Sequence, residues 1–171
     1  TNFSSSFQVR FGQNGRNQAT DNDGGAGYTF DDIRIYEVQN DMQIISVDEP
    51  AGYNCALTAA TPIKVSVRNG SSTVLNNIPV KYRISGGSFV NETIASVAAN
   101  TTIQYTFIAT ADLSATGSYT IESIVSFPGD SFAENDTAIV SVTNLPVVSS
   151  FPYLQNFELN NGSWYTLGSR N

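Results

Sequence analysis

The densest group of candidate metal ligands in this sequence lies in a glycine-rich stretch near the N-terminus. Glycines in this stretch let backbone carbonyls approach the acidic and amide side chains of Asp21, Asn22, Asp23, Asp31 and Asp32. Calcium takes six to eight oxygen ligands, which carboxylate, amide and carbonyl groups in a flexible loop can supply. The spacing does not match an EF-hand loop. The segment therefore predicts either a structural calcium site or a solvated, Asp-rich turn that only ends a strand.

Other acidic side chains are scattered near predicted strand ends, at Asp48, Glu49, Asp130, Glu134 and Asp136. Two carboxylates about 5–9.5 Å apart can hydrolyse a glycosidic bond, but sequence spacing does not establish such a pair. Solvation in loops at the sheet edges is the expectation for these acids. The chain contains no histidine, so the commonest general base is absent from the sequence. We predict no catalytic residue and no enzymatic activity.

The single cysteine, Cys55, excludes an internal disulfide. Because no histidine stands anywhere in the sequence to activate its thiol, Cys55 is predicted to be a small buried hydrophobic residue.

Composition points to a location outside the cell. Only 13% of the 171 residues are charged, while Ser, Thr and Asn are abundant, and such surfaces are common in secreted β proteins. The net charge of −7 repels phosphate backbones and anionic membrane surfaces. We predict an extracellular or cell-surface protein that binds no nucleic acid and does not insert into a membrane.

Short runs of alternating apolar and polar residues, each closed by Gly, Pro, Asn or Ser, fill the middle of the chain. Strands with one solvent-exposed face form antiparallel sheets that share a core. The pattern predicts an all-β, Ig-like or fibronectin-III-like antiparallel sandwich of about seven strands, with extra strands at both termini. The predicted strands lie near Gln43–Val47, Ile63–Arg68, Val80–Ser85, Thr93–Val97, Thr101–Ala109, Ser118–Phe127 and Thr137–Thr143.

Several side chains can be assigned within this pattern. The core-facing residues are predicted to include Ile63, Val65 and Val67 in one strand, and Ile103, Tyr105 and Phe107 in another. Tyr53, Tyr82, Tyr105 and Tyr119 are also predicted to pack in the core. Tyr119 follows Gly117 closely and fits the hydroxyl-to-backbone corner of many sandwiches. Turns are predicted at residues 69–72, 76–77, 86–87 and 128–130.

The segments on either side of residues 43–145 are too short to form cores of their own. Residues 1–42 contain two predicted strands joined by a long loop, and residues 146–171 contain a linker followed by an aromatic strand at Phe151–Glu158. The chain is therefore expected to be a piece of a longer polypeptide.

The middle section resembles the CARDB type of bacterial immunoglobulin-like, cell-adhesion-related module. Four runs carry the resemblance: IKVSVRNG at 63–70, IPVKY at 78–82, GSYTI at 117–121 and FAENDTA at 132–138, the last of which is shorter than in the family. The resemblance covers about 100 residues in the family's order. It implies a non-catalytic module.

The flanks resemble MAM-like or cleaved-adhesin jelly rolls found in secreted proteins of Bacteroidetes. Residues 24–36, GGAGYTFDDIRIY, are similar to the last strand of that fold, and residues 151–158, FPYLQNFE, to its first strand. In those families a structural calcium tends to lie between the Glu of the first strand and the Asp of the last strand. The resemblance thus implies Asp32 as a ligand in one roll and Glu158 in the next.

Together these features predict a structural or adhesion module of a large secreted or cell-surface bacterial protein, which acts as a spacer or interaction domain. Its expected partners are neighbouring domains of the same polypeptide and a cell-surface protein or glycan. The alternative is an ancillary domain, with carbohydrate binding as one role, of an extracellular protease or glycoside hydrolase. The sequence of the parent polypeptide distinguishes the two hypotheses.

Overall fold

The structure is a computed structural model that describes residues 40–159, 161, 162 and 164. The chain divides into two compact units, Thr1–Glu37 and Val38–Asn171, and every described residue belongs to the second. Among the described residues, no helix is long and apolar enough to cross a membrane.

The described part of the chain forms eight strands and one turn of 3-10 helix at Ala133–Asn135. The strands are β1 (Met42–Glu49), β2 (Gly52–Asn54), β3 (Lys64–Asn69), β4 (Leu75–Ile84), β5 (Val90–Val97), β6 (Thr102–Thr106), β7 (Gly117–Val125) and β8 (Thr137–Asn144). They form a three-stranded sheet in the order β1-β3-β6 and a five-stranded sheet in the order β2-β8-β7-β4-β5. The predicted all-β sandwich of two sheets is confirmed.

One strand departs from the predicted pattern. The three-residue strand β2 was not predicted, and it pairs in parallel with β8, whereas the other strand pairs are antiparallel. The chain leaves the three-stranded sheet at the end of β1 and joins the edge of the other sheet through β2. A segment this short shows no alternation to recognise, and its partner is 90 residues away, Gly52 lying opposite Val142.

The predicted turns are found at three of four places. Gly86 and Gly129 have φ angles of 76° and 78°, which is the conformation that favours glycine between β4 and β5 and between β7 and β8. The turn predicted at Asn76 and Asn77 is wrong. Asn77 has a φ of 54°, but β4 continues through it, since Leu75 and Ile78 on either side both pair with β5.

The core lies between the two sheets and consists mainly of β-branched side chains. Ile63, Val65 and Val67 are fully buried, as predicted. Phe107 is also buried, and Ile103 and Tyr105 pack partly buried against the core. Burying a Val, Leu or Ile side chain contributes roughly 1.5–3 kcal/mol, so these strands stabilise the fold mainly through their inward faces.

Aromatic rings connect the two sheets across the core. Tyr82 of β4 meets Phe107 edge to face, with ring centroids 4.7 Å apart, and Tyr105 of β6 meets the same ring at 5.3 Å. The Tyr82 hydroxyl donates to the carbonyl of Ala109 at 3.0 Å, so this buried ring also satisfies its polar atom. The core role predicted for Tyr82 and Tyr105 is confirmed.

The chain enters and leaves the sandwich at opposite ends. At the end where β1 begins, Met42 pairs with Asn69 and its N–H donates to Asp130 in the β7–β8 connection. β8 starts beside that connection and runs for 8 residues, about 26 Å at ~3.3 Å per residue, before the chain exits. We call the first end the N-terminal pole and the second the C-terminal pole.

The segment after β8 has no strand. Residues 145–159 form bends and irregular backbone, so the strand predicted at Phe151–Glu158 is not present. A strand requires a neighbour to pair its backbone groups, and no described strand pairs with residues 151–158. Its large apolar side chains are exposed, among them Phe151 at 81% and Leu154 at 92%. The jelly-roll assignment of residues 1–42 and 146–171 stays a prediction.

Candidate functional site

The predicted calcium ligands are only partly within the described residues. Asp21, Asp23, Asp31 and Asp32 lie outside them. Glu158 is described and is exposed, and its backbone N–H donates to the side chain of Asn156 at 3.3 Å. Within residues 40–159, 161, 162 and 164, no three acidic or cysteine side chains form a group that could hold a metal ion. The calcium prediction therefore rests on the sequence alone.

Two aspartates hold the start of β1 at the N-terminal pole. The Asp130 carboxylate accepts from the N–H of buried Met42 and from the N–H of Phe132, both at 2.7 Å. Asp41 accepts through Oδ1 from the amide of Asn135 at 2.9 Å, and its own N–H donates to the Ser71 hydroxyl at 3.1 Å. These contacts tie the incoming chain to the β7–β8 and β3–β4 connections. The expectation that Asp130 is merely solvated is wrong.

Asp136 is the most perturbed carboxyl of the same pole. Burial, reinforced by the negative charges of Asp130, Asp41 and Glu134, raises the pKa of Asp136 to about 6. Its Oδ1 and the Oδ1 of Asn135 are buried without a hydrogen-bond partner. Burying a carboxylate oxygen without a hydrogen-bond donor is costly, so folding shifts Asp136 toward its protonated form relative to the unfolded chain.

Hydroxyl and amide donors hold the carboxylate of Asp48, near the end of β1. Its Oδ1 accepts from Ser46 at 2.5 Å, and its Oδ2 accepts from Ser66 at 2.8 Å and from Gln104 at 3.3 Å. These donors come from β1, β3 and β6, all three strands of the smaller sheet. Asp48 is thus a cross-strand tie rather than a solvated loop acid.

Glu92 connects the two sheets at the edge formed by β5. Its carboxylate accepts from the Tyr105 hydroxyl at 2.6 Å and from the N–H groups of Ala109 and Ile108 at 2.9 and 3.0 Å. Burial raises the pKa of Glu92, but these three hydrogen bonds outweigh it and hold the pKa below its ordinary value. The role of Glu92 is therefore structural.

The C-terminal pole is built around a buried asparagine that sequence reasoning missed. The Asn144 amide lies 3.0 Å from the carbonyls of Leu113 and Ser114, and the next N–H, that of Leu145, donates to Asn54 at 2.6 Å. Asn144 ends a run of alternating residues, which is the only sequence signal for it.

The Tyr119 hydroxyl donates to the carbonyl of Ala115, four residues earlier, at 2.7 Å. This bond is the hydroxyl-to-backbone corner that the sequence predicted, and it is confirmed. Together with Asn144 it fixes the loop that precedes β7 against the last residue of β8.

Two residues beside β2 contradict the sequence predictions. Cys55 is exposed, and Tyr53 is 58% exposed. Both were assigned to the core, but Tyr53 lies in β2, the outermost strand of its sheet, and Cys55 directly follows that strand. Of the four tyrosines assigned to the core, only Tyr53 stands open to solvent.

A surface groove of about 600 Å³ opens beside these residues at the C-terminal pole. We call it the edge groove. Its apolar walls include Pro50, Leu57 and Pro62, and its acidic lining consists of Asp48 and Glu49. The volume falls within the range of small-molecule sites, about 300–1,000 Å³.

No family model matches the sequence, and no curated protein matches it. Similar solved structures include two of the CARDB domain of the PF1109 protein from Pyrococcus furiosus. The solution NMR structure is 18% identical, covers 63% of this chain and 96% of that one, and has a TM-score of 0.49. The crystal structure, in complex with di-metal ions, is 17% identical, covers 67% and 100%, and has a TM-score of 0.49.

Proposed function

We propose that this chain contributes a non-catalytic spacer and adhesion module to a larger secreted or cell-surface protein. The observation that carries the proposal is the position of the first and last strands. The chain enters at the N-terminal pole and leaves at the C-terminal pole, so consecutive modules joined through these poles extend end to end. The low charge and abundant hydroxyl side chains support a location outside the cell.

The strand arrangement also suits a module that bears load. Pulling the chain apart at its ends loads β1 along its own axis against β3, and β8 along its own axis against β7 and β2. The hydrogen bonds of each ladder then share the force and must break together. At the N-terminal pole, Asp130 and Asp41 add side-chain bonds that also resist removal of β1.

Single-molecule force spectroscopy of the full chain, held at its two termini, tests this proposal. One abrupt event should release residues 42–144, and roughly 100 residues at ~3.6 Å each give about 330 Å after the folded length is subtracted. The matched control is attachment through Cys55, the chain's single and exposed cysteine, and the C-terminus. Asn54 and Leu145 meet at the C-terminal pole, so this geometry peels strands one bond at a time.

The end-to-end geometry is expected to resist a clearly higher force than the control geometry. Gradual extension without a force peak, or equal peak forces in the two geometries, would contradict the load-bearing role. Turnover of a peptide or glycan substrate by the isolated chain would contradict the non-catalytic role.

A further inference from the structure

The edge groove combines negative charge with an apolar wall. Among the described residues that line it, Asp48 and Glu49 are acidic and none is basic. Asp48 is fixed by its three donors, whereas the Glu49 side chain is 54% exposed and Lys64 contacts only its Oε1, at 2.6 Å. Glu49 therefore retains carboxylate surface for a second cation, and the net charge of −7 reinforces the attraction.

The apolar part of the lining matches the stem of a long basic side chain. Half-buried Leu57 and exposed Pro62 present carbon surface beside the carboxylates, and Pro50 is buried beneath them. Lys and Arg bury their methylene stems on such surfaces while the charged head stays at the polar rim. A small inorganic cation would use only the carboxylates and leave the apolar wall exposed to water.

Both strands next to the edge groove end their sheets. β1 is the outer strand of the three-stranded sheet, and β2 is the outer strand of the five-stranded sheet. The outer edge of such a strand offers backbone N–H and C=O groups to an added chain. An extended peptide in the edge groove can therefore pair its backbone with an edge strand. One of its side chains can at the same time contact the carboxylates and the apolar wall.

We propose that the edge groove binds an extended peptide segment that bears a basic side chain. The methylene stem lies along Leu57 and Pro62, and the guanidinium or ammonium group contacts Glu49. β2 has only three residues, so the strand pairing is limited to a short stretch of the peptide. The groove would give the proposed spacer a recognition site at its C-terminal pole, and it is argued independently of the spacer role.

Nuclear magnetic resonance titration of the isotope-labelled 171-residue chain tests the proposal. The probe is the capped pentapeptide acetyl-Thr-Val-Arg-Val-Thr-amide, and its control has citrulline, which is neutral and nearly isosteric, in place of arginine. The arginine peptide should bind with a dissociation constant below about 1 mM and roughly tenfold more tightly than the citrulline peptide. The amide signals of Gly52 and Ala56 should shift, while that of Asp130 at the other pole should not.

Two variants locate the binding. Glu49→Gln should remove most of the preference for arginine, and it is expected to fold because an exposed ion pair contributes little to stability. Ala56→Arg places a cation on the exposed lining itself and should block the peptide. The matched control, Glu134→Gln, removes an exposed carboxylate at the N-terminal pole and should leave both affinities unchanged.

Equal affinity for the arginine and citrulline peptides would overturn the proposal, as would no binding of either. Shifts that persist unchanged in both Glu49→Gln and Ala56→Arg would also overturn it, since the peptide would then bind elsewhere. A basic protein captured from an extract would not replace this test, because the acidic chain attracts such proteins non-specifically.

Discussion

The replacement of Asn69 by aspartate should destabilise the sandwich more than any change of similar size on its surface. Asn69 is fully buried at the end of β3. Its Nδ2 donates to the carbonyls of Thr73 and Val97 at 2.8 and 3.0 Å, and its Oδ1 accepts from the N–H of Ser71 at 2.8 Å. The amide thus joins β3, the β3–β4 connection and the end of β5.

Aspartate keeps the shape of the side chain but replaces both donated hydrogen bonds by repulsion between oxygens. Leaving an uncompensated charge buried costs about 3–5 kcal/mol with the lost hydrogen bonds included, so we expect a loss of about 4 kcal/mol in the free energy of unfolding. Domains of this size are stable by only about 5–15 kcal/mol. The loss would lower the urea midpoint by roughly 2 M at a slope of about 2 kcal/mol per M.

Urea unfolding followed by circular dichroism measures this loss. Asn76→Asp is the matched control, because Asn76 is exposed in β4 and the same change there should stay within about 0.5 kcal/mol of the parent. The deficit of Asn69→Asp should shrink below pH 4, where the new carboxyl is neutral and can donate one bond. Similar midpoints for the two variants at pH 7 would refute the assignment of Asn69 as a buried tie.

Four further predictions concern single side chains. Tyr119→Phe removes the bond to Ala115 and should lower the free energy of unfolding by about 1 kcal/mol in urea titration, with the strands intact by circular dichroism. Glu92→Gln should destabilise the protein at pH 7. Because the pKa of Glu92 is lowered by folding, this deficit should disappear as the pH falls below its ordinary value of 4.5. For Asp136→Asn, the difference in stability from the parent should change with pH in the opposite direction to that of Glu92→Gln. Because folding raises the pKa of Asp136 from 3.8 to about 6, the parent loses stability as the pH rises from about 4 to 6, and the variant should lose less. Cys55 should react with a thiol reagent at the same rate in the folded protein as in a short peptide.

Each of these four predictions has a result that would contradict it. Parent-like stability of Tyr119→Phe would show that the corner bond contributes nothing. If the loss of stability in Glu92→Gln is constant from pH 3 to pH 7, the charge of the carboxylate is not its cause. Equal pH profiles for Asp136→Asn and the parent would show that Asp136 titrates normally, and strong protection of Cys55 from the reagent would contradict its exposure.

The period-two patterns predicted all of the longer strands because burial on one face dictates the residue type. Ile63, Val65 and Val67 alternate with polar residues, and each proved fully buried. The three residues of β2 cannot show a period, so no pattern predicted this strand. Cys55 was assigned to the core wrongly, since residue type indicates a preference for burial but not whether a second layer covers that position.

The polar ties could not be predicted in the same way. Asn69 and Asn144 are buried because backbone groups from distant segments surround their amides, and such neighbours are fixed only by the fold. Asp130 looked like one of several loop acids in the sequence, yet its partner Met42 lies 88 residues earlier. The residue types at 128–130 correctly predicted a turn at Gly129. No feature of the neighbouring sequence indicates that the next residue, Asp130, binds the first strand.

The separation in sequence between β1 and the aspartate that holds it also bears on how the module is made. Asp130 and Asn135 are synthesised 88 and 94 residues after the backbone groups and side chain they bind. While the polypeptide emerges from the ribosome, the first strand cannot form these contacts until both residues have been made. Contacts this distant slow folding to about milliseconds or seconds, so the nascent segment remains available to chaperones until almost the whole module has been delivered.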